Sequence, residues 1–378
     1  MDLVTILLFA LGLVALVGGA ELLVRGASRL AATLGVSPLV IGLTVVAYGT
    51  SAPEMAVSVA AAWKGHADMA IGNVVGSNIF NVLFILGISA LITPVIVAQE
   101  LVRRDVPIMI GLSIAVALMA LDGVIGWIDG VVLLAGLTIY TVWCVRSSRT
   151  KVGEHAEEFA VEYGHPKPSG WLVNVVLVLA GLALLVVGSR WLVEGAVAFA
   201  HWCGISEIVV SLTIVAAGTS LPEVATSVLA AIRGERDIAV GNVVGSNIFN
   251  IMGVLGMSAT VAPSGLTIAD SMLAFDVPVM IAVAVACLPI FVTGHRIARW
   301  EAVLFLAYYF AYTAYVVMAA THHDALGGFA WIMGSFVLPL TAATLAVVSW
   351  RAWRLRSKSA RSPAAPGLRV GLPGPDQK

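Results

Sequence analysis

Two stretches of this chain are nearly the same stretch. Residues 49–81 and 218–250 agree at 23 of 33 positions, at a constant offset of 169. The same offset aligns residues 12–31 with 181–200, so the similarity extends beyond its densest part. Identity falls on glycines and polar residues. Packing alone does not demand that, because a core is satisfied by interchangeable Leu, Val and Ile. The chain is therefore two homologous halves, and the polar residues common to both are where its chemistry is to be sought.

Composition says what surrounds those halves. A hydrophobic fraction of 60% with 11% charged residues and a mean hydropathy of +0.98 lies far outside the soluble globular range. Eleven apolar stretches are read as membrane spans: 4–17, 39–63, 69–92, 107–121, 130–145, 171–187, 208–232, 238–261, 272–292, 302–319 and 329–348. Several reach the roughly 20 residues that a hydrocarbon core of about 30 Å requires of a helix. Five spans separate corresponding points of the two copies. An odd number of crossings makes the copies enter the membrane from opposite sides, the inverted repeat that sets a binding site near the midplane of many transporters. The expected fold is an all-α polytopic membrane protein of two inverted five-helix repeats plus an eleventh helix. The first repeat covers residues 1–145, a linker 146–170, the second repeat 171–320, the extra helix 328–350 and a basic, disordered tail 351–378.

Charge orients the spans. With the N-terminus outside, 19 of the 21 Lys and Arg fall on the inner side, leaving only Lys64 and Arg190 outside. An even number of spans would put the basic tail outside, so charge favours eleven. The tail is expected in the cytoplasm, and a cysteine at Ser362 is expected to stay protected from an impermeant thiol reagent added to sealed cells. The start of the chain has no basic n-region and reads as the beginning of the first span. Cys144, Cys203 and Cys287 are dispersed and suggest neither a disulfide framework nor a zinc site.

Each copy carries Gly-Thr-Ser-x-Pro-Glu inside an apolar helix, ending on Glu54 and Glu223. A carboxylate in mid-membrane costs at least about 2.5–3.5 kcal/mol on insertion scales, which makes it a functional candidate. Thr50 and Ser51 precede Glu54 by four and three residues, as Thr219 and Ser220 precede Glu223, so the three oxygens share a helix face. Pro53 and Pro222 each remove a backbone N–H and kink the helix. That is expected to turn carbonyls near 47–49 and 216–218 toward a cavity, those of Ala47 and Ala216 among them. The following span carries Gly-Asn-Val-Val-Gly-Ser-Asn-Ile-Phe-Asn twice. Ser77, Asn81, Ser246 and Asn250 are assigned to the ions, and the glycines to close helix packing. Asn73, Asn78, Asn242 and Asn247 read either as outer hydrogen-bond partners or as ligands. The set is one of hard oxygen donors, suited to Na⁺ and Ca²⁺.

Other polar residues read as structural. Glu21/Arg25 and Arg190/Glu194 are i,i+4 ion pairs with the charge order swapped between halves. Asp105 and Asp276 read as helix caps, each followed two residues later by proline. His322-His323-Asp324 reads as a solvated turn. The chain has no His-Glu-x-x-His, Gly-x-Ser-x-Gly or Cys/His cluster, so it is not read as an enzyme.

Through its duplicated GTSxPE and GNVVGSNIFN blocks the chain resembles the calcium/cation antiporter superfamily, specifically the prokaryotic sodium/calcium exchangers. The resemblance implies a ten-helix core in which the first long helix of each half slides to give alternating access. It implies Glu54 and Glu223 as shared central ligands, with Thr50 and Thr219 joining them on Ca²⁺. Ser51, Ser77, Ser220, Ser246 and the Ala47 and Ala216 carbonyls would complete the Na⁺ sites. Some relatives place an aspartate where this chain has Asn250, which leaves two central carboxylates here. The expected activity is Na⁺/Ca²⁺ antiport in a prokaryotic inner membrane, with Ca²⁺/H⁺ or K⁺-dependent exchange on the same fold as the alternative. No cofactor, nucleic acid or obligate protein partner is expected beyond the transported Na⁺ and Ca²⁺ and the lipid bilayer.

Overall fold

The computed structural model describes residues 3–154, 170–205, 207–210, 213–214, 216–292, 295–344, 346–347 and 350. The first half comprises α1 (Leu3–Leu34), the pair α2 (Pro38–Thr50) and α3 (Ala52–Trp63), then α4 (Ala67–Ile92), α5 (Leu101–Asp122) and α6 (Trp127–Glu154). The second half runs α7 (Trp171–Trp202), α8 (Leu221–Arg233), α9 (Arg236–Val261), α10 (Met272–Phe291) and α11 (Arg299–Ala320). Short helical pieces at Glu207–Val210 and Ala216–Gly218 precede α8 as α2 precedes α3. A last helix, α12 (Leu326–Thr344), follows. Among the described residues nine helices are each long and apolar enough to cross a membrane, and α2–α3 adds a span bent by 48°. With the stretch 207–233, which stands 169 residues after that bent pair, every expected segment has a helical counterpart. The chain is an integral membrane protein.

Several boundaries differ from expectation. The fifth and fourth spans are longer than their apolar cores, because α6 carries polar residues on to Glu154 and α5 begins at Leu101. The linker therefore starts no earlier than residue 155, and 155–169 lie outside the described residues, as does the tail from 351. Asp105 and Asp276 do not cap helix starts. Each ends a π-helical turn, Leu101–Asp105 or Met272–Asp276, inside a helix already under way. Asp105 is fully buried and accepts hydrogen bonds from Arg104 at 3.0 and 3.2 Å and from the Tyr140 hydroxyl at 3.0 Å. Asp276 accepts from the Tyr312 hydroxyl at 2.8 Å, so both halves pair this aspartate with a tyrosine. The His322–Asp324 turn behaves as read: His323 accepts the Ala325 N–H at 3.1 Å.

Helices α1 and α7, at 32 residues and about 48 Å each, exceed the hydrocarbon thickness, so they tilt in it or project beyond it. They run antiparallel along a stripe of glycines spaced by seven: Gly12, Gly19 and Gly26 on one, Gly181, Gly188 and Gly195 on the other. A Cβ at Gly19 would come within 2.8 Å of the Gly181 carbonyl, and one at Gly188 within 2.7 Å of the Leu16 amide. Backbone thus meets backbone, as small residues permit between membrane helices. At the chain's two faces the halves are joined by two small antiparallel ladders. β1 (Val95–Ile96) pairs with β4 (Arg296–Ile297), and β2 (Val124–Ile125) with β3 (Leu266–Thr267). Each ladder takes one strand from each half.

Candidate ion site

Bending at the GTSxPE motif delivers the carboxylates to the centre. Between α2 and α3 the chain leaves helical geometry at Ser51 (φ −82°, ψ 11°), and before α8 it does the same at Ser220 (φ −89°, ψ 8°). Proline follows two residues later in both, where its missing N–H falls in a first turn. The acids Glu54 and Glu223 consequently sit in the first turn of α3 and α8, each 1% exposed. A carboxylate there also meets the positive end of its helix.

The two halves clasp each other's acid. Ser51 donates to Glu223 Oε1 at 2.8 Å, and Ser220 donates to Glu54 Oε1 at 2.7 Å. Ser220 Oγ also lies 3.4 Å from Ser77 Oγ, which brings the next helix of the first half to the same place. The other carboxylate oxygens, Glu54 Oε2 and Glu223 Oε2, are buried and have no hydrogen-bond partner among the described residues. The same holds for Thr219 Oγ1, Ser246 Oγ, Asn81 Oδ1 and Asn250 Oδ1. Leaving such atoms unmatched is costly unless something else satisfies them. Six unmatched oxygens, from residues that sequence alone put forward as ligands, are what a dehydrated cation would complete.

Not every expected ligand is equally available. The Ala47 carbonyl already accepts the Ser51 N–H at 3.0 Å and the Thr50 hydroxyl at 3.3 Å, so the kink does not free it. The carbonyl to which Pro53 offers no N–H is that of Gly49. Ala216 opens the short Ala216–Gly218 turn. Thr50 donates as well to Asn242 Oδ1 at 3.1 Å. Asn81 and Asn250 stand where α4 and α9 pass from α- to π-helical winding, at Asn81–Leu86 and Asn250–Leu255. Single π turns of this kind recur at functional sites.

Asn73 and Asn242 take the outer role. Asn73 donates to Ser58 Oγ at 2.9 Å and to the Glu54 carbonyl at 3.3 Å, and Asn242 repeats this with Ser227 at 2.9 Å and the Glu223 carbonyl at 3.5 Å. Ser58 and Ser227 are fully buried and were not among the expected site residues. Their signal lay in the alignment of the halves, which are identical at that position too.

The two halves are not equivalent in packing. A Cβ at Gly245 would fall 2.5 Å from the Leu43 carbonyl, and one at Gly241 2.9 Å from that of Leu39. The start of α2 thus lies against α9 backbone to backbone, between the site and the face marked by Arg233 and Arg236. The equivalent glycines of α4 are open among the described residues: there only Met272 Cε, at 3.5 Å, approaches Gly72, and nothing comes within 4 Å of Gly76. Gly72, Asn73 and Gly76 are half-buried, whereas Gly241, Asn242 and Gly245 are buried. Among the described residues the glycine pair on α9 is thus sealed by backbone and the pair on α4 is looser. On the sealed side Glu21 of α1 takes a bidentate ion pair from Arg233 at 2.8 and 3.0 Å as well as one from Arg25, and Ser28 donates to Glu235 at 3.0 Å. Among the described residues Arg190 and Glu194, aligned with Glu21 and Arg25, pair only along α7, at 2.9 Å.

Known proteins resemble this chain in sequence and fold. Residues 4–146 and 173–318 match the family model described as sodium/calcium exchanger protein. The putative antiporter CaxA of Alkalimonas amylolytica is 42% identical over 268 residues, 69% of this chain and 82% of that protein. The inner membrane protein YrbG of Escherichia coli is 39% identical over 258 residues, covering 68% and 79%. Among solved structures, the sodium-calcium exchanger NCX_Mj soaked with 2.5 mM Na⁺ and 0.1 mM Ca²⁺ superposes with a TM-score of 0.70 at 34% identity, over 85% of this chain and 99% of that one. The match at both halves, in order and over nearly the whole ten-helix core, makes this chain a member of the sodium/calcium exchanger family of cation antiporters.

Proposed function

We propose that the chain exchanges Na⁺ for Ca²⁺ across a prokaryotic inner membrane, at one site reached alternately from its two faces. The observation that carries this reading is the pair of buried carboxylates, each steadied through one oxygen by a serine of the opposite half and unpartnered at the other. Two negative charges are matched by one Ca²⁺ or by two Na⁺. A site that held both would carry uncompensated charge in a low dielectric, so the ions compete. Thr50 and Thr219 join the carboxylates on Ca²⁺. Ser51, Ser77, Ser220 and Ser246, with Asn81, Asn250 and the Ala216 carbonyl, supply neutral oxygens for Na⁺, and the Ala47 carbonyl would join them only by giving up the hydrogen bond from Thr50. The inner-membrane placement draws support from the likeness to YrbG, and the orientation, N-terminus outside, from the charge asymmetry.

Purified protein in vesicles loaded with Na⁺ should accumulate ⁴⁵Ca²⁺ when diluted into Na⁺-free medium. An opposing H⁺ or K⁺ gradient alone should not drive uptake; uptake driven equally well by a pH gradient would establish Ca²⁺/H⁺ exchange instead.

Stoichiometry gives a second measurement. Carboxylate charge alone accommodates two Na⁺, while the neutral oxygens make room for a third whose charge would be carried across. With three, Ca²⁺ uptake at fixed ion gradients should change with a membrane potential clamped by valinomycin and set K⁺ ratios. Indifference to potential would fix the exchange as two for one.

A further inference from the structure

Asn78 and Asn247 stand apart from the ligands named above, yet each is buried at the meeting of α4 and α9. Asn78 donates to the Asn247 carbonyl at 3.4 Å, and Asn247 donates to the Asn78 carbonyl at 3.4 Å. Their amide nitrogens also face sulfur, that of Met280 at 3.7 Å and that of Met109 at 3.4 Å. A backbone carbonyl can only accept, so it decides which end of each side-chain amide lies against it. The nitrogen of Asn78 is thereby fixed toward Asn247, and its oxygen is left facing the other way.

That oxygen accepts from Asn250 Nδ2 at 3.2 Å, and the Asn247 oxygen accepts from Asn81 Nδ2 at 3.0 Å. The orientation therefore passes on: with their nitrogens engaged, Asn81 and Asn250 turn their oxygens away from the relay. Those two oxygens are the unpartnered Asn81 Oδ1 and Asn250 Oδ1, on residues 1% and 0% exposed. Asn81 lies one turn beyond Ser77, whose hydroxyl stands 3.4 Å from that of Ser220 in the site. Reversed, either amide would present N–H donors to a cation.

We propose that Asn78 and Asn247 are positioning residues that hold the side-chain oxygens of Asn81 and Asn250 toward the transported ion. This rests on the assignment of Asn81 and Asn250 to the ion site. Backbone carbonyls of opposite halves set the two amides, so the device needs both repeats and works without any charged group. It also assigns a purpose to amides at 81 and 250. They add neutral oxygen without adding to the two negative charges of Glu54 and Glu223.

A carboxylate has oxygen at both ends and needs no such orientation, which supplies the test. Asn78→Ala in the natural sequence should weaken Na⁺ binding about tenfold, the lower end of what loss of a ligand-orienting partner costs. Binding is read from Na⁺-dependent thermal stabilisation of the full-length protein in detergent and from the Na⁺ concentration that half-maximally inhibits ⁴⁵Ca²⁺ uptake. In an Asn250→Asp background the same Asn78→Ala change should alter Na⁺ binding less than twofold. Equal losses in both backgrounds would mean that Asn78 merely packs, and would overturn the proposal. The mirrored cycle, Asn247→Ala with and without Asn81→Asp, repeats the comparison should Asn78→Ala fail to fold. Failure of both alanine variants to fold also overturns it, because amide orientation does not decide folding. If Asn81→Ala and Asn250→Ala themselves leave Na⁺ binding intact, the fault lies in the assignment of the site and not in the relay.

Discussion

Glu54→Gln and Glu223→Gln should each abolish Na⁺-driven ⁴⁵Ca²⁺ uptake while leaving the protein folded. Glutamine keeps an oxygen where Ser220 or Ser51 donates at 2.7 or 2.8 Å, so the clasp between the halves survives. It places an NH₂ group where the unpartnered Oε2 stood, and that group presents N–H donors to the cation. The lost attraction is large. One unit of charge against another at 4 Å is worth about 4 kcal/mol at an effective dielectric constant of 20, or about three orders of magnitude in affinity. Calcium binding, read as Ca²⁺-dependent thermal stabilisation, should therefore vanish at concentrations that saturate the natural protein. Ion-free protein should melt no earlier than before, since one buried charge has been removed. Glu194→Gln, at an exposed pair on α7, serves as the control that transports normally. Normal uptake by either central variant would remove the site from Glu54 and Glu223. Asp105→Asn is a poor control, because that carboxylate is buried against Arg104 and Tyr140.

Gly76→Ala should separate binding from transport. In this structure a Cβ at Gly76 meets nothing among the described residues, so the variant should fold and bind Ca²⁺ with nearly natural affinity. The opposite state of an inverted repeat is obtained by exchanging the roles of the halves. The second-half counterpart of 39–43 would then lie on Gly72 and Gly76 as 39–43 now lie on Gly241 and Gly245, where an added Cβ would meet backbone at 2.5–2.9 Å. Backbone cannot swing aside as a side chain can. Overpacking of that kind costs about 1–3 kcal/mol, which lowers the population of the blocked state roughly five- to 150-fold. Uptake should fall by about fivefold or more with binding retained. Gly245→Ala clashes in the present state instead and should favour the other one. Increased accessibility of a cysteine at Ser28, on the side now sealed, would report it. Full transport by Gly76→Ala would show that the two routes do not exchange their packing.

Legibility in the sequence followed the repeat. At several aligned positions with the same polar residue the structure shows a shared role: Ser51 and Ser220 on the acids, Asn73 and Asn242 on the outer bonds, Asn81 and Asn250 at the π turns. Constant spacing gave the helix face directly, because three- and four-residue steps share a face whatever the tertiary context. What stayed hidden depended on partners distant in the chain. No spacing shows that Asn78 bonds across 172 residues to Asn250, so the two readings of Asn78 could not be separated. Asp105 and Asp276 depart from expectation because Asp-Val-Pro is a helix-start pattern, while the π turn that precedes it leaves no local mark. The difference between the sealed and open glycine pairs was invisible for a deeper reason. Gly72-x-x-x-Gly76 and Gly241-x-x-x-Gly245 have the same residues, and only the conformation distinguishes them.

The glycine stripe between α1 and α7 bears on leakage. A carrier wastes its driving gradient whenever both mouths stand open together, and the loss grows with the time spent so. Here the long helix of one half cannot shift alone, since its backbone meets that of the other at five of the six stripe glycines. Leu182 of α7 sits against Gly49 and Val193 of the same helix against Gly218, so one rigid pair covers the kinked motif of both halves. Any displacement that uncovers one motif carries the same body along the other. Efficiency under the proposed exchange is thus a matter of gearing: the two mouths would share a single moving part, and slippage between them would require prising apart two long helices in backbone contact.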